Sequence, residues 1–389
     1  PENNYLAADP EWVNQKLGVG DIVYRDYDGH ITQEGIYLQG EYTGLDKRLT
    51  AILTGTVNNS TYWNVNRFYY DKEHEKSATH NFVAGSVKGG ANYNINRHNN
   101  VYVNLGYITR APYYLSGVFL SAATSNAANP DPLNEKVMSF ELGYGYRSPI
   151  FSANVDAYFT KWLDKTTTRS IQRNDGGYNY FNMSGVNARH AGVEINATFQ
   201  PTNWFTLEGM ASIGDWIWDS NATGYFYNDL GQPLNDKYEV ASGILAPDHA
   251  HAVLNQKGKK VGGSAQWTGA LIAKFRPFKG LTVGGDWVLS SHNYSDYEIN
   301  SSSYLPGADI NVADPWQIPW GNQVDLNASY RFKMSGLDAV LSGNVYNVFN
   351  YNYVMDAYTD VATDGTWQNA FRVLYSFGRT YSIRLKVSF

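Results

Sequence analysis

The last eleven residues of the chain, 379–389, place the strongest constraint on its fold, because apolar and polar side chains alternate there from Tyr381 onward. Side chains of an extended strand point to opposite faces in turn. The apolar face holds Tyr381, Ile383, Leu385, Val387 and Phe389. An aromatic residue ends the run. This pattern is typical of the last strand of an outer-membrane barrel, whose apolar face meets lipid and whose polar face meets a wet lumen.

Alternating segments of the same kind recur from about residue 35 to the end. They predict about thirteen strands, at 36–42, 48–56, 81–94, 101–107, 140–146, 151–160, 193–199, 205–213, 271–275, 281–287, 324–332, 339–345 and 379–389. Short turns and gaps of dozens of residues follow one another between these segments. Outer-membrane barrels have this asymmetry, with short periplasmic turns and long extracellular loops. We therefore expect an all-β fold, a transmembrane antiparallel up-and-down β-barrel.

The composition fits a barrel and excludes other classes. No apolar run approaches the roughly 20 residues of a membrane-spanning helix. Aromatic residues make up 15% of the chain, which suits girdles at two membrane interfaces, although a soluble β-sandwich of the lectin type remains an alternative. The net charge of -6 argues against a nucleic-acid partner. The absence of cysteine excludes disulfides and thiolate metal sites.

The predicted strand count is odd, since the first and last strands both descend from the long-loop rim. A complete single-chain bacterial barrel has an even number. We therefore expect residues 1–30 to be the tail of an extracellular loop and residues 31–389 to be the C-terminal part of a larger barrel. Pro1 is not an initiator residue and no signal peptide is visible, so we expect the numbering to start inside a longer precursor.

Several ordered segments resemble the TonB-dependent outer-membrane receptors, specifically the Bacteroidota type. The segments that carry this resemblance are Val87–Tyr93 with Val101–Tyr107, Thr109–Pro112, Asn129–Lys136 with Ser139–Tyr144, Asn347–Asn350 and Val387–Phe389. Together they cover most of residues 30–389. Each motif is weak alone, and the ordered set is specific.

The resemblance implies the last thirteen strands of a 22-stranded barrel, with the plug and the first nine strands outside this chain. It implies an active importer, not an enzyme, for a scarce bulky nutrient such as a siderophore, haem, cobalamin, peptide or glycan. The implied partners are the plug and remaining barrel strands, TonB acting through the plug, outer-membrane lipid and a surface lipoprotein. A passive porin or adhesion barrel is the alternative. A lipase-type barrel is disfavoured, because His292 beside Ser290 and Ser291 lies in a loop.

Aromatic residues in the long gaps are candidates for ligand contact, since their rings stack on sugars, porphyrins or siderophores. The predicted ligand-binding residues are Tyr113, Tyr114, Phe119, Trp216, Trp218 and Tyr225. A third loop carries Trp63, Arg67, Phe68 and Tyr69. Loop–loop packing or an interfacial girdle is the structural alternative for all of them.

Charged residues on the polar faces of the predicted strands form a second group. The residues predicted to face the lumen and the plug are Glu141, Asp156, Glu194, Glu208, Asp325, Arg331 and Arg384, together with Asp286 and Lys386. In a soluble protein the same residues would be ordinary surface charge. We expect cross-strand pairing and plug contact rather than catalysis.

Two short segments have some features of metal sites. Asp248-His249-Ala250-His251 places two imidazoles on one side of an extended chain, but the sequence fixes no third ligand nearby. Asp26-Tyr27-Asp28-Gly29 matches part of a calcium loop, but Tyr24 and Gly35 occupy its first and last ligand positions. We therefore expect solvated loop histidines, a turn at 26–29, and no metal or cofactor.

Overall fold

The computed structural model describes residues 14, 16–23, 25–172, 178–244, 246–298, 307–360 and 365–388. The terminal Phe389 and most of residues 1–13 lie outside the described residues. The first strands are β1 Tyr27–Gly44, β2 Leu49–Asn66, β3 His80–Asn94, β4 Asn99–Arg110, β5 Glu135–Arg147, β6 Phe151–Gln172, β7 Tyr178–Thr202, β8 Phe205–Trp218, β9 Ala222–Tyr227, β10 His251–Asn255 and β11 Trp267–Phe275. The others are β12 Leu281–Ser291, β13 Asn293–Tyr294, β14 Asp296–Glu298, β15 Asp309–Asn311, β16 Gln317–Ile318, β17 Gly321–Met334, β18 Leu337–Tyr346, β19 Val354–Asp360, β20 Ala370–Tyr375 and β21 Thr380–Ser388.

The main sheet is an antiparallel meander with the order β1-β2-β3-β4-β5-β6-β7-β8-β11-β12-β17-β18-β21. Strands β9, β10 and β15 attach to it at one rim, and β13–β16 and β14–β19–β20 form two small sheets. Across the described residues, β1 and β21 are the two ends of the meander and do not pair with each other. One short 3-10 turn, Trp367–Asn369, interrupts the strands. Nowhere in the described ranges is there a helix long and apolar enough to cross a membrane.

The connections are short at one rim and long at the other, as the sequence predicts. The short turns are 45–48, 95–98, 148–150, 203–204, 276–280 and 335–336. In the last of them Ser335 and Gly336 have φ values of 51° and 83°. A two-residue hairpin of this kind needs positive φ at both central positions, because its twist then matches that of the strands. The long connections are 67–79, 111–134, 219–266, 292–320 and 347–379.

The strand register brings the apolar side chains onto one face of the meander. Leu142 pairs with Ala157, Ala157 with Val193, Val193 with Ile213, and Ile213 with Trp267. Residues paired across strands point to the same face. Leu142 and Ile213 are each 53% exposed. The predicted alternation is confirmed along this row, which we call the apolar face; the opposite side is the polar face.

Several strands extend much further toward the long-loop rim than the sequence indicates. β2 continues to Asn66 and pairs with β1 along its full length, so the predicted gap after residue 56 is partly strand. β6 and β7 likewise continue to Gln172 and begin at Tyr178. The predicted turn at 26–29 is wrong, because β1 begins at Tyr27. These extensions lie beyond the apolar face, so they lack the lipid-facing alternation that reveals the rest.

Most of the buried side chains lie at the long-loop rim. We call this region the loop layer, and it consists of the described residues of the five long connections together with residues 162–189 of β6 and β7. Its main cluster contains Ile171, Phe181, Met183, Val186, Ala222, Phe226, Leu234, Ala250, Ala252, Leu254, Ile310 and Val312. Two smaller clusters contain Tyr62, Val118, Phe119 and Ala122, and Leu120, Tyr180 and Tyr227. The remaining part of the meander, between the loop layer and the short turns, is the strand wall.

Candidate functional site

The connection 219–266 carries two strands that the sequence does not predict. β9 pairs with β7 through Tyr180–Ser184 and with β10, and β10 pairs in parallel with β15. On β9 the buried residues alternate, with Ala222 and Phe226 in the main cluster. Gly224 lies between them, and a Cβ there would meet the Phe181 ring at 2.1 Å. The period-two pattern of small and aromatic residues at 222–226 is the signal that could have identified this strand.

The aromatic residues of the connection 111–134 divide between packing and exposure. Phe119 is fully buried, with ring centroids 5.0 Å from Tyr114 and 5.7 Å from His80. The Tyr114 hydroxyl donates to Asn64 Oδ1 at 2.7 Å, and burial raises the pKa of this phenol, so it stays protonated. Tyr113 is 58% exposed and lies 4.3 Å under the Arg110 guanidinium. Of these three predicted ligand residues, Tyr113 is the one that offers a ring to solvent.

The other predicted ligand residues lie near the end of β8 and on β9. Trp216 stacks on His190 at 4.9 Å, and its indole Nε1 donates to the Tyr158 hydroxyl at 3.0 Å. Trp218 packs against the main cluster, 6.5 Å from the ring of Tyr297. Tyr225 lies 4.9 Å from the His249 ring. The structure places all three within the loop layer, where their contacts described so far are with other protein side chains.

The loop group at 63–69 is also packed. Trp63 stacks on His30 with centroids 4.8 Å apart, and Phe68 is buried. Arg67 forms an ion pair with Asp26 at 3.0 Å and a second one with Asp28. The two carboxylates that suggested part of a calcium loop therefore hold a guanidinium across β1 and β2.

His249 is buried, so the expectation of a solvated histidine is wrong at this position. Its ring lies between Tyr225 and Tyr227, at 4.9 Å and 5.0 Å, and Nε2 faces the Phe226 carbonyl oxygen at 3.0 Å. Burial lowers the pKa of His249, and the proximity of His251 lowers it further. Within the described ranges, no group of three or more His, Asp or Glu side chains could hold a metal ion.

The polar face of the strand wall carries the predicted lumen residues, and two pairs of carboxylates lie opposite each other on it. Asp156 pairs in register with Glu194, and Asp286 with Asp325. Like charges in directly opposed positions destabilise a sheet unless another group neutralises them. Among described side chains, buried Asp156 Oδ1 has no hydrogen-bond partner.

The remaining charges on this face are partly neutralised. Glu208 forms an ion pair with Lys274 at 2.9 Å, and Glu194 accepts a hydrogen bond from the Ser212 hydroxyl at 3.1 Å. Glu141 accepts one from Asn104 at 3.3 Å. Arg331 and Arg384 lie exposed toward the short-turn end of the same face. The face therefore presents both signs of charge to open space.

The serine and histidine residues at the end of β12 do not form the arrangement of a hydrolase. Ser291 Oγ lies 3.2 Å from Nδ1 of the adjacent His292. The His292 ring stacks on Trp267, with centroids 3.8 Å apart. A histidine held flat on an indole by its immediate neighbour is explained by packing.

The fold is similar to that of several solved transporters. It matches a copper transporter, OprC, with a TM-score of 0.60 and 14% identity, covering 93% of this chain and 48% of that one. It matches the siderophore receptor PiuA from Acinetobacter baumannii with a TM-score of 0.59 and 15% identity, covering 92% and 43%. It matches the FrpB iron transporter from Neisseria meningitidis with a TM-score of 0.55 and 16% identity, covering 93% and 46%. The chain thus spans about half the length of these proteins or slightly less.

A sequence profile of the family described as "TonB dependent receptor-like, beta-barrel" matches residues 2–348. No curated protein sequence matches the chain. The profile covers most of the strand wall and the loop layer, and it agrees with the antiparallel up-and-down meander and with the fold of the solved transporters. The chain belongs to the TonB-dependent receptor-like β-barrel family.

Proposed function

We propose that this chain is the C-terminal barrel portion of an active outer-membrane importer of the Bacteroidota type. It would take up a scarce, bulky nutrient with energy from TonB. The observation that carries the proposal is the two-faced meander, in which one face is apolar and exposed while the other carries charge. An exposed apolar face of this length suits lipid, and a charged face suits a lumen filled by another part of the receptor.

The ends of the meander support a larger closed barrel. β1 has 18 residues, and β2 is its partner on one side. In hydrocarbon, each unpaired backbone group costs several kcal/mol, so open edges do not persist in a bilayer. We infer that further strands of the same receptor join β1 to β21, giving a 22-stranded barrel. The plug would lie against the polar face, where its cations would neutralise the opposed carboxylates.

The loop layer is the proposed nutrient-binding end. The named neighbours are a copper transporter, a siderophore receptor and an iron transporter, which makes a chelated metal the first class to test. Haem, cobalamin, a peptide or a glycan are the further classes. A surface lipoprotein would be a partner at this end, since the loop layer is the part that projects from the membrane in this arrangement.

The test is uptake by cells that carry the full-length receptor, with and without TonB. We expect growth on the limiting nutrient and accumulation of the labelled nutrient to stop when TonB is removed. Uptake that persists without TonB and saturates poorly would favour the passive porin. A receptor that stays in the aqueous phase without detergent would contradict the membrane assignment altogether.

A further inference from the structure

A cavity of about 250 Å³ lies inside the loop layer, between the extended ends of β6 and β7 and the segment 258–263. Lys165, Thr167 and Arg169 alternate along β6 and line one wall. Trp218 from β8 and Tyr297 from β14 line the opposite side. Two cations and two large aromatic rings therefore surround one enclosed space.

The cationic wall has hydrogen-bonding capacity that the protein does not use. The Nε of Arg169 is buried and, in the part of the chain that the structure describes, has no hydrogen-bond partner. The Lys165 ammonium lies 5.7 Å from the ring of Trp162. Asp296 is the carboxylate in the lining, so two cations and one anion leave a formal charge of +1. A buried donor without a partner is costly, and an anionic oxygen in the cavity would satisfy it.

The opposite wall is held in place by the backbone. Gly258 N donates to Trp218 O at 2.8 Å, and Trp218 N donates to Lys259 O at 2.9 Å. A Cβ on Gly262 would lie 2.2 Å from the Ser295 carbonyl oxygen, so this segment packs directly against the chain that leads into β14. The cavity is therefore formed before any ligand arrives, as small-molecule sites usually are.

The aromatic side of the cavity offers apolar surface and no competing charge. The Tyr297 hydroxyl donates to Gln256 Oε1 and is thereby used within the protein. Burial raises the pKa of Tyr297, so the phenol stays neutral at physiological pH. Met183 and Val186 complete this apolar lining. One half of the cavity suits an anionic group and the other half suits a flat apolar body.

We propose that this cavity binds the anionic oxygen group of a small ligand, a carboxylate or a phosphate carried on a flat ring system. Arg169 would grip two oxygens of the group with its planar guanidinium, while Lys165 supplies a second charge. Trp218 and Tyr297 would contact the ring. The volume equals that of about eight waters at ~30 Å³ each, which limits the bound portion to one ring system with one acid group. The inference deepens the proposed import and rests on it for the route by which the ligand arrives.

The test is isothermal titration of the detergent-purified full-length receptor with three probes that share one ring system: naphthoate, naphthyl phosphate and naphthamide. We expect at least one anion to bind, and the neutral amide to bind at least about tenfold more weakly, because it cannot replace the charge-assisted hydrogen bonds. The two anions distinguish a carboxylate from a phosphate ligand. Equal binding of the amide, or no binding of either anion, overturns the proposal.

Variants then locate the site. Lys165→Met and Arg169→Met should each weaken binding of the preferred anion by about tenfold. Lys279→Met, which removes a cation from a short turn at the other rim, is the matched control and should leave binding unchanged. Lys165→Arg keeps the charge and should restore binding, which separates lost charge from lost folding. Unchanged binding in both methionine variants overturns the proposal.

The result separates this inference from the proposed function, since titration requires no TonB. Anion binding without TonB-dependent uptake would overturn the import function alone. TonB-dependent uptake in a receptor whose cavity binds no anion would overturn the cavity assignment alone.

Discussion

The loop layer and the strand wall use the same strands but are stabilised in different ways. In the loop layer, Phe226 and Leu254 are fully buried, as in the core of a water-soluble protein. In the strand wall, Leu142 is 53% and Ile383 is 85% exposed, and the strands are joined mainly by their backbone ladders. The loop layer thus has its own hydrophobic core. The wall requires lipid on one face and, in our proposal, a plug on the other.

The largest effect is expected in the core of the loop layer. Phe226→Ala removes a fully buried ring that lies 4.9 Å from the Phe181 ring. Truncation of a buried phenylalanine costs about 3–5 kcal/mol, because the apolar contacts are lost and a cavity remains. We expect the loop layer to open locally while the strand wall stays paired. Hydrogen exchange resolved by segment would show faster exchange in β9 and β10.

Phe275→Ala is the control for this change, since Phe275 is exposed on the apolar face at the end of β11. Its exchange pattern in the loop layer should match that of the unchanged receptor. Global loss of protection in Phe226→Ala, including β17 and β18, would mean that the two regions fold as one unit.

A second comparison uses neighbouring positions on opposite faces of β11. Leu271→Arg places a charge on the apolar face, where arginine at the bilayer midplane costs about 2–4 kcal/mol. Ile272→Arg places it on the polar face, opposite Glu208 and Asp286, where it gains partners. We expect Leu271→Arg to lower the temperature at which the unboiled gel band converts to the unfolded position. Ile272→Arg should leave that temperature nearly unchanged, and an equal fall in both would contradict the assignment of faces.

The loop layer should also respond to pH through His249. Its pKa is lowered by burial, so the folded form binds fewer protons than the opened form below the ordinary histidine pKa of about 6.5. The free energy of opening therefore falls as the pH falls through this region. Hydrogen exchange of β9 and β10, corrected for intrinsic rates, should be faster at about pH 5.5 than at about pH 7.5.

His249→Gln should remove most of this pH dependence, because glutamine keeps a donor for the Phe226 carbonyl but does not titrate. His251→Gln is the matched control at the exposed neighbouring position. If His251→Gln abolished the dependence and His249→Gln did not, the buried imidazole would not be its source.

The sequence predicts the strand wall well and the loop layer poorly, for a physical reason. In the wall, residues such as Leu271, Ile213 and Tyr381 alternate with polar neighbours because lipid and lumen lie on opposite sides. The register in the structure agrees with this alternation. In the loop layer both sides of a strand meet protein, so β9 and β10 show only a short pattern of small and aromatic residues.

The candidate site illustrates the same limit. Phe119 and His249 are in sequences rich in polar residues, and neither shows from sequence alone that it is buried. Their environment depends on residues far away in the chain, such as His80 for Phe119 and Phe226 for His249. The cavity beside Arg169 depends on segments more than 90 residues beyond it, at 258–263 and 296–297. Without an observed fold, these residues cannot be assigned to one site.

The smallest effect is expected on the polar face and depends on what covers it. Lys274 and Glu208 form an ion pair at 2.9 Å, with side chains 39% and 38% exposed. An exposed pair contributes about 0–1 kcal/mol, so Lys274→Met should scarcely change the unfolding temperature if the face meets water. A plug seated on this face would bury Glu208, and loss of its partner would then cost about 3–5 kcal/mol. The full-length receptor should show this larger loss, whereas the same receptor with the plug deleted should show the smaller one. Equal small losses in both would place the plug away from Glu208.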